Sequence, residues 1–260
     1  DYRSIIKYTT FIKKNDFVAL FSGAHGIANG LESIINVAKY LKYRSYNNIK
    51  IILIGDGREK ANLKKIAEIN QLDNCIFLDP VSKIELSRIM RDCVHVGIMC
   101  LKNVPEFYNG TSPNKFFDYI SAGLPVLINY PGWLANIVTK EKLGYFSEPN
   151  DVKGLANNLI KLSSDLLYLD KLSINCRTYA EKNFSRDEMF KKFYSTINTS
   201  YTELKYRRKS YYSRSFYLFF KRSCDIIFSI LLMILTFPVY FIISILVYIK
   251  LGKPILFTQC

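Results

Sequence analysis

From residue 16 onward, short apolar runs alternate with segments of helical period. Phe17-Val18-Ala19-Leu20-Phe21 is the first run and ends in Ser22-Gly23. Leu31, Ile34, Ile35, Ala38 and Leu41 then recur at three- and four-residue spacing, the stripe of an amphipathic helix. Ile49 to Ile54 is the second run, closed by Gly55-Asp56-Gly57 and followed by the stripe Leu63, Ile66, Ala67, Ile69. Cys75-Ile76-Phe77-Leu78 is the third, with Pro80 after it and a helical stretch around residues 83–92. His95 to Met99 makes a fourth. A loop to Asn109, a helix within "NGTSPNKFFDYISAGLPV" and a fifth strand at Val126–Asn129 continue the alternation. Short, nearly continuous apolar strands separated by helices predict a parallel sheet covered on both faces, a doubly wound α/β domain. Residues 151–205 read as helices, with Val152, Leu155, Leu159 and Leu162 on one face and later segments at about 165–182 and 186–205.

The C-terminal section has a different pattern. Ile226 through Ile249 carries no charge, and a continuous helix over it would be about 36 Å long, enough to cross a bilayer. Pro238 sits mid-segment, where it removes an amide donor and strands a carbonyl one turn back, so a kink or break is expected. Lys221 and Arg222 precede the segment, and Lys250 and Lys253 follow it. Basic residues at both ends suit a re-entrant, membrane-embedded helix that enters and leaves on one face, with a plain spanning helix as the alternative.

Charge sharpens this division. The net charge is +14, and Lys205, Arg207, Arg208, Lys209, Arg214, Lys221 and Arg222 stand against Glu203 alone in residues 201–222. Beside an apolar segment, such a run reads as a basic linker facing anionic lipid headgroups. Nucleic acid is the usual alternative partner for a basic run, but no recognition motif accompanies it, and none is expected to bind. Three parts are therefore expected: a domain over 1–200, the linker 201–222, and a membrane helix within 223–260. The six cysteines form no CxxC pair and the only histidines are His25 and His95. Metal-ligand spacing is absent, and the cysteines read as reduced and buried. A chain opening at Asp1 and closing at Cys260 is expected to be a fragment.

In a doubly wound sheet, ligands sit beyond the carboxyl ends of the strands. Three loops are candidates there. "SGAHGIANG" (22–30) follows the first strand, and its small residues let backbone approach a ligand. "GDGREK" (55–60) follows the second, with Arg58 and Lys60 at a helix start. In "TSPNK" (111–115), Ser112 is a suitable N-cap and Pro113 suits the first helical position, which puts Asn114 and Lys115 in the first turn. Free amides, the helix dipole and the Lys115 charge favour an anion such as a diphosphate. Asp118, one turn after Asn114, suits ribose or sugar hydroxyls as an acceptor. Together they describe a nucleotide sugar; a well-capped helix with an exposed lysine is the plainer alternative.

"SGAHGIANGLE", "ILIGDGREK", "NCIFLDPV" and "GTSPNKFFDYISAGLPVL", in this order and at these spacings, resemble the C-terminal, donor-binding domain of family-4 glycosyltransferases of the GT-B fold, and within them the bacterial surface-polysaccharide subgroup. The resemblance covers about residues 16–200. It implies a Rossmann-like half of a two-domain enzyme, transfer with retention of configuration, and no required metal. Carried over residue by residue, the donor site would comprise Gly55, Asp56, Gly57, Arg58, Ser112, Pro113, Asn114, Lys115 and Asp118, with Gly23, His25 and Asn29 from the first loop. The sequence departs from the family's pattern at several positions. Ala24/His25 and Asn29-Gly30 stand where many members have an arginine and a Lys-Gly pair. Gly110 stands where the first of two paired glutamates is expected, leaving Asp118 as the second carboxylate. His95 replaces a family aspartate and is expected to be structural.

"FFKRSCDIIFSILLMILTFPVYFIISILVYIKLGKPILFTQ" (219–259) is similar to the start of the bacterial sugar transferases, which act as polyprenol-phosphate phosphoglycosyl transferases. That family's helix is re-entrant with a break at proline, and here Thr236 would satisfy a freed carbonyl. The family's Asp-Glu pair and Mg2+ site lie downstream of the matching segment, so no cofactor is expected within this chain. The two resemblances imply a fusion enzyme on the cytoplasmic face of a bacterial inner membrane. It would take a nucleotide-sugar donor and a polyprenyl-diphosphate-linked acceptor, in contact with membrane lipids. A membrane-tethered nucleotide-sugar-binding module without transfer activity is the alternative.

Overall fold

Strands β1 (Phe17–Ser22), β2 (Ile49–Ile54), β3 (Cys75–Leu78), β4 (Val96–Met99), β5 (Val126–Ile128) and β6 (Gly144–Phe146) form one sheet in the order β3-β2-β1-β4-β5-β6. This computed structural model describes residues 12–111, 113–209 and 214–251. Every pairing is parallel, with Leu20 opposite Ile52 on one side and Gly97 on the other. The helices between strands are α1 (Glu32–Tyr43), α2 (Lys60–Ile69), α3 (Lys83–Cys93), α4 (Pro105–Gly110), α5 (Asn114–Ser121) and α6 (Trp133–Lys140); α7 (Val152–Ser164) and α8 (Leu166–Phe184) follow the sheet. The five expected strands are present within a residue of their expected ends. β6 and the short helices α4 and α6 are additions, and α4 occupies part of the stretch expected as a loop to Asn109.

Two apolar cores explain the layering. In β1, Phe17, Ala19 and Phe21 join the core that holds Ile34, Leu63 and Leu155 of α1, α2 and α7. Val18 and Leu20 point the other way, to Ile89, Phe116 and Leu134 of α3, α5 and α6. A strand's side chains alternate between faces, so a strand covered on both sides is apolar at nearly every position; all six residues of β1 and of β2 are buried, with Ser22 and Lys50 the polar exceptions. Helix α8 contributes Leu169 and Leu172 to the first core and Cys176 and Ala180 to the second.

The chain divides into two units, residues 1–191 and 192–260. The second comprises most of α9 (Arg186–Lys209) together with α10 (Arg214–Leu251), so the described part of the expected linker is helical. Tyr217–Lys250 is long and apolar enough to cross a membrane, and its 18-residue apolar stretch has mean hydropathy 2.7 with none of it buried. The break expected at Pro238 is absent: α10 runs through the proline as one helix. Proline removes only its own donor, which leaves the carbonyl of Ile234 without its bond, while the flanking turns keep theirs. Thr236 does not serve that carbonyl. Its Oγ1 donates to Leu232 O at 2.8 Å, the ordinary back-bond of a helical threonine.

Candidate functional site

Strand order reverses between β1 and β4, whose connections leave in opposite directions, and in a sheet of this kind ligands bind in the crevice beyond the carboxyl ends of such a pair. The loop after β1 carries Gly23, and α5 follows the segment after β4. Their relative position is set by one buried tyrosine. Tyr119 of α5 is fully buried; its hydroxyl accepts from Ser22 N at 2.9 Å and lies 3.2 Å from Leu20 O, to which it donates. The ring lies flat against β4 where Gly97 has no side chain: a Cβ there would come within 2.4 Å of Tyr119 Cδ2. Burial pushes the phenol well above its ordinary value, so it stays a neutral hydrogen-bonding group. Neither Tyr119 nor Gly97 was expected from sequence, because the partners Ser22 and Leu20 lie about a hundred residues away.

The loops after β1, β2 and β3 are laced into one piece. Gly23 N donates to Ile54 O at 2.9 Å, His25 N to Asp56 O at 2.8 Å, and Glu59 N to His25 O at 2.9 Å. Gly55 and Gly57 permit this. A Cβ on Gly55 would lie 1.9 Å from Gly23 O, and one on Gly57 would lie 2.7 Å from His25 C and O, both at positive φ. These glycines serve close backbone approach within the protein. Asp56 caps its own turn by accepting from Gly57 N at 2.8 Å, and Arg58 is exposed at the rim. Lys60 stands at the helix start as expected, and it is buried. Its Nζ donates to Gly55 O at 2.7 Å and Leu78 O at 3.2 Å and pairs with Asp79 at 2.7 Å. The ion pair holds the Asp79 carboxyl below its ordinary value.

His25 differs from its expected role. Its ring is fully buried between Phe21 and Phe77, and neither nitrogen has a hydrogen-bond partner among the described residues. Burial first, then the Lys60 charge, lower its pKa below the ordinary 6.5. The ring faces the core, and it is the backbone of His25 that shapes the loop. Asn29 likewise braces the loop, donating to Ala24 O at 2.7 Å. His95 is structural as expected: its Nδ1 accepts from Val18 N at 3.0 Å and its ring stacks on Phe17.

The start of α5 keeps its predicted character with a shift of one residue. Ser112 lies outside the described residues. Pro113, expected as the first helical residue, is the N-cap in an extended conformation and supplies no side-chain bond. Asn114 is exposed, and among the described residues no side chain caps the helix N-terminus. Lys115 turns inward. Its Nζ is 4.0 Å from the centroid of the Phe21 ring, and a Cβ on Gly23 would be 3.4 Å from Nζ. Burial lowers its pKa, and among the described residues no carboxylate pairs with it. A largely desolvated ammonium held only by a ring face is costly unless an anion reaches it. Asp118 is at hand but engaged: Lys83, at the start of α3, sits 3.0 Å from Oδ1 and 3.1 Å from Oδ2. Lys83 is mostly exposed, so the pair is weak and open to exchange with an incoming donor. The described residues hold no group of three His, Cys, Asp or Glu side chains able to bind a metal, so none of them fits the Mg2+ expected for the tail's relatives.

The sequence profile described as "Glycosyl transferases group 1" matches residues 3–183. No curated protein matches the chain in sequence. Among solved structures, TarM of S. aureus, in complex with fondaparinux, alpha-GlcNAc-glycerol and UDP, superposes with TM-score 0.61 at 14% identity, over 72% of this chain and 37% of that one. HepE of Anabaena, in complex with UDP and glucose, gives 0.61 at 17% identity, over 76% and 52%. The C-terminal domain of the group 1 protein LpcC from Francisella tularensis gives 0.56 at 16%, over 67% and 89%. At such identities the likeness is one of fold: a Rossmann-like half of the GT-B architecture. The chain spans roughly a third to a half of the length of the first structures it matches.

Proposed function

The chain belongs to the glycosyl transferases group 1 family, and from that membership we propose that its sheet domain binds a nucleoside-diphosphate sugar at the β1/β4 crevice. The diphosphate lies between Gly23 and the start of α5, against Lys115 and the first-turn amides. Asp118 accepts from ribose hydroxyls, exchanging its contact with Lys83 for them, and Arg58 reaches in from the rim. The observation that carries this reading is the Lys115 ammonium, inward-facing and without a carboxylate partner. Completed by a second half of the kind the longer structures contain, the protein transfers the sugar with retention. Lys115 and the helix amides offset charge that builds on the departing diphosphate, a preorganised arrangement that needs no rearrangement during the step.

The acceptor in this reading is a polyprenyl-diphosphate-linked glycan of bacterial surface-polysaccharide synthesis, met at the cytoplasmic face of the inner membrane, with a phosphoglycosyl transferase fused behind the apolar helix. Supporting it are the uncharged stretch Ile226–Ile249 within the continuous helix α10 and the exposed Lys221 and Arg222 just before it, suited to anionic headgroups. Tethering two enzymes that share a lipid-bound intermediate raises its local concentration. A second reading, a tethered module that binds the donor without transferring the sugar, draws on Gly110. A Cβ there would meet nothing within 4 Å, so space for the expected first carboxylate exists and is unfilled. Product formed from a lipid-linked acceptor decides against that module; donor binding with no product decides for it.

The donor site is tested by Lys115→Met in the full chain, with UDP affinity measured by calorimetry. Losing one charge-assisted contact, about 1.5–3 kcal/mol, weakens binding about 10- to 100-fold. The unliganded protein should melt no lower than wild type, since a desolvated charge without a partner has been removed. Unchanged UDP affinity would sink the assignment.

A further inference from the structure

A second concavity opens beside Gly30, on the far side of the loop from the diphosphate site. It encloses about 410 Å3, and Gly23, Lys115 and Asp118 do not line it. Its walls come from the first turns of α1 and the segments after β4 and β5. Volumes of a few hundred cubic ångströms are typical of small-molecule sites.

The chemistry of the wall is specific. Asn129 is 4% exposed, and its Oδ1 accepts from Leu101 N at 3.0 Å, which fixes the orientation of the amide. Its Nδ2 then has only Ser33 Oγ and Leu101 O, each at 3.5 Å, the outer limit of a hydrogen bond. Both bonds are long, so a ligand acceptor in the cleft would replace either with a shorter one. Ser33 Oγ spends its proton on Gly30 O at 2.7 Å, so its lone pairs face the cleft as acceptors. Tyr108 donates to Asn103 Oδ1, leaving the Asn103 amide N–H groups as donors. Asn36 has no hydrogen-bond partner among the described residues. Glu32 and Lys102 add one charge of each sign.

This lining rules out several occupants. Opposed charges give no net attraction for a phosphate. No aromatic side chain lines the cleft to stack a nucleobase. Leu101 and Val152 add apolar surface to the amides, hydroxyl and charges, a mixture that suits the polar edges and apolar faces of a sugar ring better than a wholly apolar ligand. Neutral amides, a hydroxyl acceptor and one carboxylate, alternating donor and acceptor, match the hydroxyls of an uncharged sugar ring. We propose that this cleft is a carbohydrate-binding site separate from the donor site, which takes a neutral hexopyranose unit with Asn129 Nδ2 and Ser33 Oγ at its floor and Asn36 and Asn103 at its mouth. Lys102 N donates to Ala28 O at 2.9 Å, so the loop bearing Gly23 is also a wall of this cleft, and the two sites share a backbone segment.

Saturation-transfer NMR on the full chain in detergent micelles tests this, with D-glucose and N-acetylglucosamine as probes and excess UDP present. The expected result is transfer to at least one sugar that persists under UDP and falls about tenfold in affinity in Asn36→Ala/Asn103→Ala, a pair of exposed positions chosen so that the fold survives. Asn129→Asp, which removes the floor donor while keeping its shape, should abolish transfer in protein whose melting matches wild type. Transfer to neither sugar, displacement of the sugar by UDP, or equal affinity in the Asn36→Ala/Asn103→Ala variant would overturn the proposal.

Discussion

Gly97→Ala is the smallest change that tests how the two halves of the crevice are held in register. The added methyl would lie 2.4 Å from Tyr119 Cδ2 and 2.5 Å from Cγ, and the ring has nowhere to go because it is fully buried. Overpacking a core position costs about 1–3 kcal/mol. Displacing the ring also breaks the bond that Ser22 N makes to the tyrosine hydroxyl, and a buried amide left unsatisfied costs about another 1–3 kcal/mol. A loss of about 2–6 kcal/mol follows, which lowers the melting temperature of a domain of this size by about 4–24 °C. Because the same ring ties α5 to the end of β1, Lys115 shifts relative to Gly23 and UDP affinity falls as well. The assay is thermal melting and UDP calorimetry on Gly97→Ala, Tyr119→Leu and the double variant. Leucine vacates the ring's space, so the double variant should be more stable than the sum of the singles by about 1 kcal/mol or more. A Gly97→Ala protein that melts within about 1 °C of wild type, or strict additivity, would refute the reasoning.

Three further outcomes follow from the same geometry. Lys60→Met keeps the buried stem but strands the carbonyls of Gly55 and Leu78, so chemical denaturation should show a loss of about 2–4 kcal/mol, and NMR titration should find the Asp79 carboxyl back in its ordinary range. His25 and His95 both have folded-state pKa values below 6.5, chiefly from burial. The unfolded chain therefore binds more protons below that pH, and stability, fully present above 6.5, should fall as pH drops through the window beneath it; His25→Met should flatten part of that slope, and an unchanged slope would show that His25 does not contribute. Asp118→Asn should erase discrimination between UDP and its 2′-deoxyribose analogue while altering stability by less than about 1 kcal/mol, since its partner Lys83 is mostly exposed.

What could be read from sequence follows the range of the interaction involved. β1 to β5 are legible because a strand covered on both faces is apolar at nearly every position, a local signal. β6 has no such run: it is three residues long, and Gly144 is there because a Cβ would lie 2.0 Å from Val126 O, a contact with another strand. Pro238 misled for the opposite reason. The local rule is correct about the lost hydrogen bond, yet one missing bond in a 38-residue helix leaves the flanking turns intact. In the crevice, the helix start and Lys115 were legible from capping and charge alone. Which way each polar side chain turns was not. Lys60, placed by sequence only at a helix start, finds two carbonyls and a carboxylate in the folded chain, whereas His25, expected as a ligand contact, finds only aromatic rings and becomes a neutral core residue. Lys115 finds a ring face and no carboxylate, and that difference is what separates a residue that completes the fold from one that still lacks its partner. The same criterion applies at Asn129, whose amide nitrogen is buried beside two acceptors at the limit of reach. Both His25 nitrogens also lack partners among the described residues, yet aromatic rings enclose them, so an unmet polar group marks a candidate site only where a ligand can reach it, and that depends on contacts that only the folded chain brings together.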